Sequence, residues 1–397
     1  MTHHKTLAAP ILPGATLGVM GGGQLGRMFV HAAQSMGYNT AVLDPDANSP
    51  AGLVSHHHVQ ADYHDADGLQ SLAQLCQAVT TEFENVPAES LQALAKKCLV
   101  APSAEAVAVA QDRRVEKARL AEIGKLSGVQ PVPYTLIEKE MHVSLVDTYY
   151  LPGLLKTATQ GYDGKGQIKV STKAQLAIAW AKMGKVPCVL ELLVPLHEEF
   201  SVVLARGEDG QIVHFPPQRN VHINGILAAT YAHESDLKPA DVSELVEAAK
   251  AIANSLKYVG VLCVEFFLLK DGSLVVNEIA PRPHNSGHYT LDACDVSQFE
   301  LQVRAMCRLP LLQPRQHSPA IMLNLLGDLW FKADPNTAQT LPWDNVLALA
   351  GAHLHLYGKA DAKPGRKMGH LTITGSHLED VQATTQQAAH ILGIEKY

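Results

Sequence analysis

The sequence lacks paired cysteines, a one-signed charge and any long apolar run, and each absence removes a class of function. Its six cysteines (Cys76, Cys98, Cys188, Cys263, Cys294, Cys307) are scattered with no C-x-x-C pair. That argues against both a disulfide framework and a zinc site, and it suits a reducing cytoplasm. Lys and Arg number 32 against 39 Asp and Glu, with the signs interspersed and a net charge of −7. No basic footprint for a nucleic acid is present. Any phosphate-bearing ligand would be held by locally placed lysines and backbone amides. No stretch approaches the roughly 18 uninterrupted apolar residues of a membrane span, and no apolar h-region opens the chain. Neither a membrane association nor a signal peptide is expected. Internal repeats and low-complexity segments are also missing.

What is present is a chain of 397 residues, 47% apolar and 18% charged, enough for two or three globular domains. Residues 16–20 read as a buried strand, followed by a glycine cluster and a helix over 25–36. Strands at 39–43 and 78–82 alternate with a helix near 67–76, a βαβα pattern that predicts a parallel sheet covered by helices. The central stretch predicts a helix at 111–124, turns at Pro131 and Pro133, and strands at 153–157, 167–171, 188–194, 199–206, 211–215, 259–269 and 273–279. A helix at 241–256 precedes the 259–269 strand. Asp271-Gly272 between two apolar runs signals a hairpin. Strands at 320–326, 353–357 and 369–374 and a helix at 378–391 close the chain. The fold class is therefore α/β, α+β overall, in three domains at 14–112, 113–316 and 317–397. The tract His56-His57-His58 reads as a solvated loop, because three consecutive side chains cannot converge on one metal. His3 and His4 are assigned to a loose leader running to Pro13.

Five motifs could carry chemistry. Gly21-Gly22-Gly23-Gln24-Leu25-Gly26 satisfies G-x-G-x-x-G between a strand and a helix, with Asp44 ending the next strand. Glycines there let amides approach an anion at a helix N-terminus. Dinucleotide binding, generic phosphate binding and a structural tight turn all remain open at this point. Gly161-Tyr162-Asp163-Gly164-Lys165-Gly166-Gln167 is a glycine-punctuated flap whose amides and lysine could close over a polyphosphate, with Lys156 on the preceding strand. It is not a Walker A loop. Glu265 and Glu278 lie six residues to either side of the Asp-Gly turn, which predicts cross-strand neighbours. With Asn277 they form a hard-oxygen set suited to Mg²⁺. Arg282-Pro283-His284-Asn285-Ser286-Gly287-His288 follows directly and suggests substrate recognition. Tyr357-Gly358-Lys359 and Pro364-Gly365-Arg366-Lys367-Met368-Gly369-His370 suggest an anion pocket, with a solvated loop as the competing reading.

Taken in order, these motifs resemble the ATP-grasp superfamily. Within it they are similar to the ligases that carboxylate 5-aminoimidazole ribonucleotide in purine biosynthesis. The similarity spans about 14–375 and includes Gly-Gln-Leu-Gly-Arg-Met (23–28), Leu-Asp-Pro-Asp-Ala-Asn-Ser-Pro-Ala (43–51), Thr-Glu-Phe-Glu-Asn-Val (81–86) and Ser-Gln-Phe-Glu (297–300). The resemblance implies an N-terminal Rossmann-like domain, a central ATP-grasp domain with a mobile flap, and a C-terminal domain completing the substrate site. It implies ATP held by Arg113, Lys156 and the loop 161–167, with adenine read through Glu191, Leu192, Leu193 and Val194. Glu199 would take the ribose, His222 would add a contact, and Asn277 would lie beside the nucleotide. Glu265 and Glu278 would bind Mg²⁺, as two ions. The ribonucleotide would meet Gln24, Leu25, Glu82, Asn85, Tyr162, Asp163, Lys165, Asn285, Ser286, Lys359, Arg366 and Lys367. Arg282 and His284, with Lys359, would act on bicarbonate and the reacting groups. Bicarbonate would be activated as carboxyphosphate, and a cytoplasmic homodimer is the implied setting. Two departures stand out: Ala158-Thr159-Gln160-Gly161 where the family has Arg-Thr-Gly-Gly, and Arg219 where it often has Glu. Rival readings are another purine-pathway ATP-grasp ligase, an NAD-dependent oxidoreductase, and a nucleotide-binding regulator.

Overall fold

The computed structural model describes residues 9–161, 166–233, 237–332 and 334–397. His3 and His4 lie outside them. The segment just before Pro13 is anchored rather than loose: the Ile11 N–H donates to the Cys307 carbonyl at 2.9 Å, and the Ile11 carbonyl accepts from the Tyr38 hydroxyl at 2.8 Å.

Near-continuous apolar runs predict buried parallel strands, and the first section delivers them. Thr16–Met20, Asn39–Leu43, His57–Val59, Ala78–Thr81 and Leu99–Val100 form a five-stranded parallel sheet, with Thr16–Met20 between Asn39–Leu43 and Ala78–Thr81. Strand order reverses between Thr16–Met20 and Ala78–Thr81, so the crevice at their carboxyl ends is the expected ligand position. The histidine tract corrects the loop reading, since it supplies the edge strand, paired with Ala41–Leu43. His56 accepts from the Thr40 amide, and His58 contacts the Asp44 carbonyl. The tract is part of the sheet edge.

The central section holds two sheets. Tyr134–Ile137, Cys188–Leu192, Gly153–Thr157 and Gln167–Val170 form a four-stranded antiparallel sheet, packed on helix Lys173–Lys182 through Leu155, Leu176, Trp180 and Leu190. Strands from Leu196–Arg206 onward build a nine-stranded sheet. Two helices cover its inner face, Arg113–Ser127 and Pro239–Ser255, burying Leu120, Leu245 and Ile252 against Phe200, Leu262 and Phe266. The first is framed by strong signals. The Asp112 side chain accepts from the Arg114 N–H at the N-cap, and Gly128 ends the helix in the left-handed region at φ 86°.

Asp271-Gly272 does turn a hairpin, with Gly272 at φ 84°, and Glu265 lies opposite Glu278. A bulge between Glu265 and Phe266 follows. A second hairpin escaped the sequence reading: Gln218–Ile223 and Ile226–Ala232 are joined by Asn224-Gly225, both at positive φ (54° and 78°). This is the twist-matched two-residue turn that Asn-Gly favours.

The last section does not form a sheet of its own. Ala320–Leu326 pairs with Ile226–Ala232, and Lys367–Thr374 and Ala352–Leu356 extend the same sheet, backed by helix Leu378–Leu392. The first section is likewise bound to the centre. Helix Gln298–Met306 places Phe299, Val303 and Met306 in one core with Leu17, Val19 and Phe29.

Gln302 on that helix staples the two sections. Its carbonyl oxygen accepts from the Val261 N–H at 2.6 Å, while its amide donates to Thr80 Oγ1 at 3.0 Å and the Ala101 carbonyl at 3.3 Å. Gln302→Leu should destabilise the protein by about 1–3 kcal/mol, because it leaves the buried Val261 N–H without an acceptor. Urea unfolding measures this. A loss below about 0.5 kcal/mol would show that the staple contributes little.

Candidate active site

At the carboxyl ends of the two central parallel strands, the glycine loop has already bound its anion. Glu82, one residue past its strand, accepts from the Gly23 N–H at 2.5 Å and the Gly26 N–H at 2.7 Å. Burial nevertheless pushes its carboxyl up. A Cβ on Gly23 would come within 2.5 Å of that carboxylate, so glycine is required by close approach. Asp44 is likewise engaged, accepting from the Gly22 N–H at 2.7 Å and the Tyr63 hydroxyl at 2.6 Å. The amides and the acid that a dinucleotide would need are both occupied from within, which removes the observation behind the oxidoreductase reading. Gln24 and the buried Leu25 open the helix Gln24–Ser35 beside Glu82.

The second cluster lies on the hairpin. Glu265 is held by His284, Nε2 to Oε1 at 2.9 Å, and the side-chain amide of Asn277 reaches its other oxygen at 3.5 Å. His284 and the other surrounding cations outweigh burial, and the Glu265 carboxyl is held down to about 2. Behind the hairpin sits Glu116, a residue the sequence reading passed over. It accepts from the Ile279 N–H at 2.7 Å, and burial, reinforced by Glu278, pushes its pKa up to about 8. Lys117 donates to the Asn277 carbonyl at 2.7 Å. Asn277 Oδ1 has no hydrogen-bond partner among the described residues. Two carboxylates and an unsatisfied amide oxygen on adjacent strands are a donor set that fits Mg²⁺.

Lys156 is not a free cation. With Lys117 it brackets the buried Glu191: Lys156 Nζ to Oε2 is 2.7 Å, and Lys117 Nζ to Oε1 is 2.9 Å. The two ammonium groups overcome burial and hold the Glu191 carboxyl down to about 2. Lys117 was legible in principle, because it lies on the same helical face as the buried Leu120 and Gly124. The Leu192 and Leu193 N–H groups are already donated, to the Pro133 and Pro152 carbonyls. Those two amides are therefore engaged within the protein. Glu199 pairs with His222 at 2.6 Å, so two residues expected at the nucleotide do meet.

Arg113 grips the root of the flap through the Thr157 and Gly161 carbonyls, at 3.1 and 2.9 Å. In the flap motif, Tyr162, Asp163, Gly164 and Lys165 lie outside the described residues. Of its flanks, Gly161 is held by Arg113, Gly166 has φ 71° and accepts from the Thr157 N–H, and Gln167 begins its strand. Gln160 stands at φ 61°, in the left-handed region where the resembled family has glycine and where a side chain costs about 1–2 kcal/mol. Arg219, the other departure, lies over the Tyr231 ring at 4.0 Å.

Arg282 reaches across to the first section: its Nε lies 2.6 Å from Glu84 Oε2, and the guanidinium outweighs burial to hold the Glu84 carboxyl down to about 2. Glu84 was missed, although it sits in the quoted Thr-Glu-Phe-Glu-Asn run beside Glu82 and the exposed Asn85. Ser286 corrects a substrate assignment. It is fully buried, and its hydroxyl bridges His284 Nδ1 at 2.9 Å and Ser201 Oγ at 2.8 Å. It orients His284 from behind and has no surface to offer a ligand. Asn285 is also buried, yet both side-chain polar atoms are without hydrogen-bond partners among the described residues. In the last section, Lys359 donates to the Lys367 carbonyl at 2.6 Å, and its charge acts on Glu82. Arg366 donates to the Asp361 carbonyl at 2.8 Å. All three sections therefore converge on one cleft.

Comparison with known proteins agrees with this geometry. Residues 14–111 match the ribonucleotide synthetase preATP-grasp domain, 124–299 the ATP-grasp domain, and 320–384 the phosphoribosylaminoimidazole carboxylase C-terminal domain. The N5-carboxyaminoimidazole ribonucleotide synthase of Brucella melitensis is 41% identical over 368 residues, covering 91% of this chain and 96% of the relative. The chain belongs to the N5-carboxyaminoimidazole ribonucleotide synthase family. The Bacillus subtilis relative is 39% identical, over 91% of this chain and 92% of its own. Among solved structures, the Staphylococcus aureus synthetase complexed with ADP superposes with a TM-score of 0.86 at 36% identity, covering 97% of this chain and 99% of that one. An Aspergillus clavatus structure with ADP and 5-aminoimidazole ribonucleotide gives 0.84 at 30% identity, covering 96% and 98%. This is a family of ATP-dependent ligases of purine biosynthesis.

Because Glu84 has a folded pKa near 2 against an ordinary 4.5, its contribution to stability is complete above pH 4.5 and is lost as pH falls toward 2. Glu84→Gln should flatten acid unfolding across that window and lower turnover about tenfold by releasing Arg282. Parallel pH titrations by circular dichroism and steady-state rates read both effects. An unchanged acid transition would show that the ion pair contributes nothing to folding.

Proposed function

We propose that the protein uses ATP to carboxylate the exocyclic amine of 5-aminoimidazole ribonucleotide, giving N5-carboxyaminoimidazole ribonucleotide. The observation that carries this reading is the meeting of the acid pair Glu265 and Glu278 with His284 and the cross-section ion pair Arg282–Glu84. That arrangement would set a nucleotide-metal site beside Arg282 and His284, side chains suited to a small anion.

Bicarbonate is a weak electrophile. Transfer of the γ-phosphoryl group to one of its oxygens yields carboxyphosphate and ADP, and the amine then attacks the activated carbon and expels phosphate. Glu265 and Glu278, with Asn277, would hold Mg²⁺, as two ions, which would neutralise the triphosphate when bound. Lys156 and Arg113 would lie along the phosphates, Glu199 and His222 at the ribose, and the chain at Glu191–Val194 at the base. Arg282 and His284 would position bicarbonate, with Ser286 fixing the imidazole. Gln24, Leu25, Glu82 and Asn85 would face the imidazole ribonucleotide, with Asn285, Lys359, Arg366 and Lys367 toward its ribose and phosphate. The flap, with Tyr162, Asp163 and Lys165, would exclude water from an intermediate that water destroys. The three domains are divided as 14–112, 113–316 and 317–397. Among the described residues no helix is long and apolar enough to cross a membrane, and all six cysteines are free. A cytoplasmic homodimer is the setting we propose.

ADP release should be strongly stimulated by 5-aminoimidazole ribonucleotide and should fall to background when bicarbonate is removed. Glu278→Gln should lower turnover by more than about a hundredfold while the circular dichroism spectrum stays unchanged. Stimulation that survives bicarbonate removal would favour another ligase of the same superfamily. Near-normal turnover in the variant would dismiss the metal assignment.

A further inference from the structure

Outside this cleft, where the central section meets the last strands, a second group of ligating side chains converges. His355 and His370 are directly opposite on neighbouring strands, with their rings stacked at 4.5 Å. Asp292, on the short helix Thr290–Ala293, takes His355 Nε2 at 2.9 and 3.1 Å from its two oxygens. One ring nitrogen from each histidine and one Asp292 oxygen all lie within 4.8 Å of one another. His370 is fully buried, its Nδ1 is 2.9 Å from the Tyr357 hydroxyl, and its Nε2 has no hydrogen-bond partner among the described residues. A buried imidazole nitrogen without a partner, whichever tautomer is present, is costly.

We propose that Asp292, His355 and His370 form a binding site for a borderline transition-metal cation of the zinc class. Two imidazoles and a carboxylate are the nitrogen-oxygen set such ions select over Mg²⁺. His353, whose Nδ1 stands 3.8 Å from Asp292, is placed to join them. A tetrahedral zinc with bonds of about 2.0–2.1 Å keeps its donors roughly 3.3 Å apart. The stacked rings therefore splay by rotation of their side chains as the site closes. The proton that now joins His355 Nε2 to Asp292 must leave that atom, so protons compete with the metal. The Tyr357–His370 contact supplies the outer partner that orients a ligating imidazole. His355 is one-third exposed, which gives an entry path. An ion here would tie the helix after the 282–288 loop to the strands bracketing Lys359 and Lys367, fixing the central section against the last.

The full chain, stripped with chelator and re-equilibrated at pH 7.5 with micromolar Zn²⁺, would be measured for retained zinc, for the ligand-field spectrum with Co²⁺, and for melting temperature. One tightly held ion per chain, a tetrahedral cobalt spectrum and a zinc-dependent rise in melting temperature are expected. Asp292→Asn and His355→Gln should each weaken uptake by more than about tenfold. Replacing His56, His57 and His58, or Glu265 and Glu278, should leave that ion in place. No retention by the parent, or equal retention in the Asp292 and His355 variants, would overturn the site.

Discussion

The constraint on which the rest of this structure depends is the placement of two carboxylates side by side on a buried hairpin. Glu265 and Glu278 are cross-strand partners, and like charges about 4 Å apart repel by roughly 4 kcal/mol at an effective dielectric of 20. The surroundings answer that repulsion atom by atom. His284 pairs with Glu265, and the Glu199 hydrogen bond, joined by the charges of Glu265 and Glu278, outweighs burial and pushes His222 up. Glu116, pressed against the same hairpin, keeps its proton up to about pH 8, so a third acid adds no charge at neutral pH. Lys117 and Lys156 enter from the opposite side but are shared with Glu191. The pocket is thus balanced without ligand, and a bound metal-nucleotide would replace internal partners with its own charges. That exchange keeps the cost of an unliganded, partly desolvated acid pair bearable.

The same hairpin belongs to a sheet that ignores the divisions suggested by the motifs. The strands that carry Glu265 and Glu278 and those flanking Lys359 and Lys367 are parts of one hydrogen-bonded sheet. Helix Gln298–Met306, although it follows the central motif, completes the core of the first section. A cleft lined by three stretches of chain keeps its geometry only if those stretches cannot slide. The shared sheet, the shared core, Gln302 and the Arg282–Glu84 pair each oppose that sliding by a different interaction. The small four-stranded sheet bearing the flap is joined to the hairpin more lightly, through Val132 and Val276 backbone bonds and the Lys117–Glu191 pair.

How much of this was legible follows from the range of each interaction. The Glu265–Glu278 pairing could be read because antiparallel register is arithmetic around a recognisable Asp-Gly turn. The Asn224-Gly225 hairpin was equally local, but its flanks, Val-His-Ile and Ile-Leu-Ala, lack the clean alternation that would have drawn attention to them. The histidine tract was misjudged because an edge strand of three residues is held by its neighbour, which no window of sequence contains. Charge partners were the least accessible: Arg282 and Glu84 are 198 residues apart, and Gly23 and Glu82 are 59 apart. Ser286 illustrates the limit most clearly. A serine in a polar run after an expected metal ligand invites a substrate role, and only the fold shows its hydroxyl turned inward to Ser201.

The glycine loop shows how a correct physical rule can still leave function undecided. The amides after the first strand do form an anion receptor at a helix N-terminus, as their spacing implies. The anion is a side chain of the same protein. A dinucleotide pyrophosphate would have to evict Glu82 from two short amide bonds and Asp44 from the Gly22 amide and the Tyr63 hydroxyl, while Lys359 holds its charge nearby. Each displaced carboxylate would then be desolvated without a partner, at a cost that no single phosphate contact offsets. The motif therefore does the reverse of what it does in a dinucleotide fold. It fixes one acid, Glu82, through two backbone bonds supplied by the protein's own glycine loop.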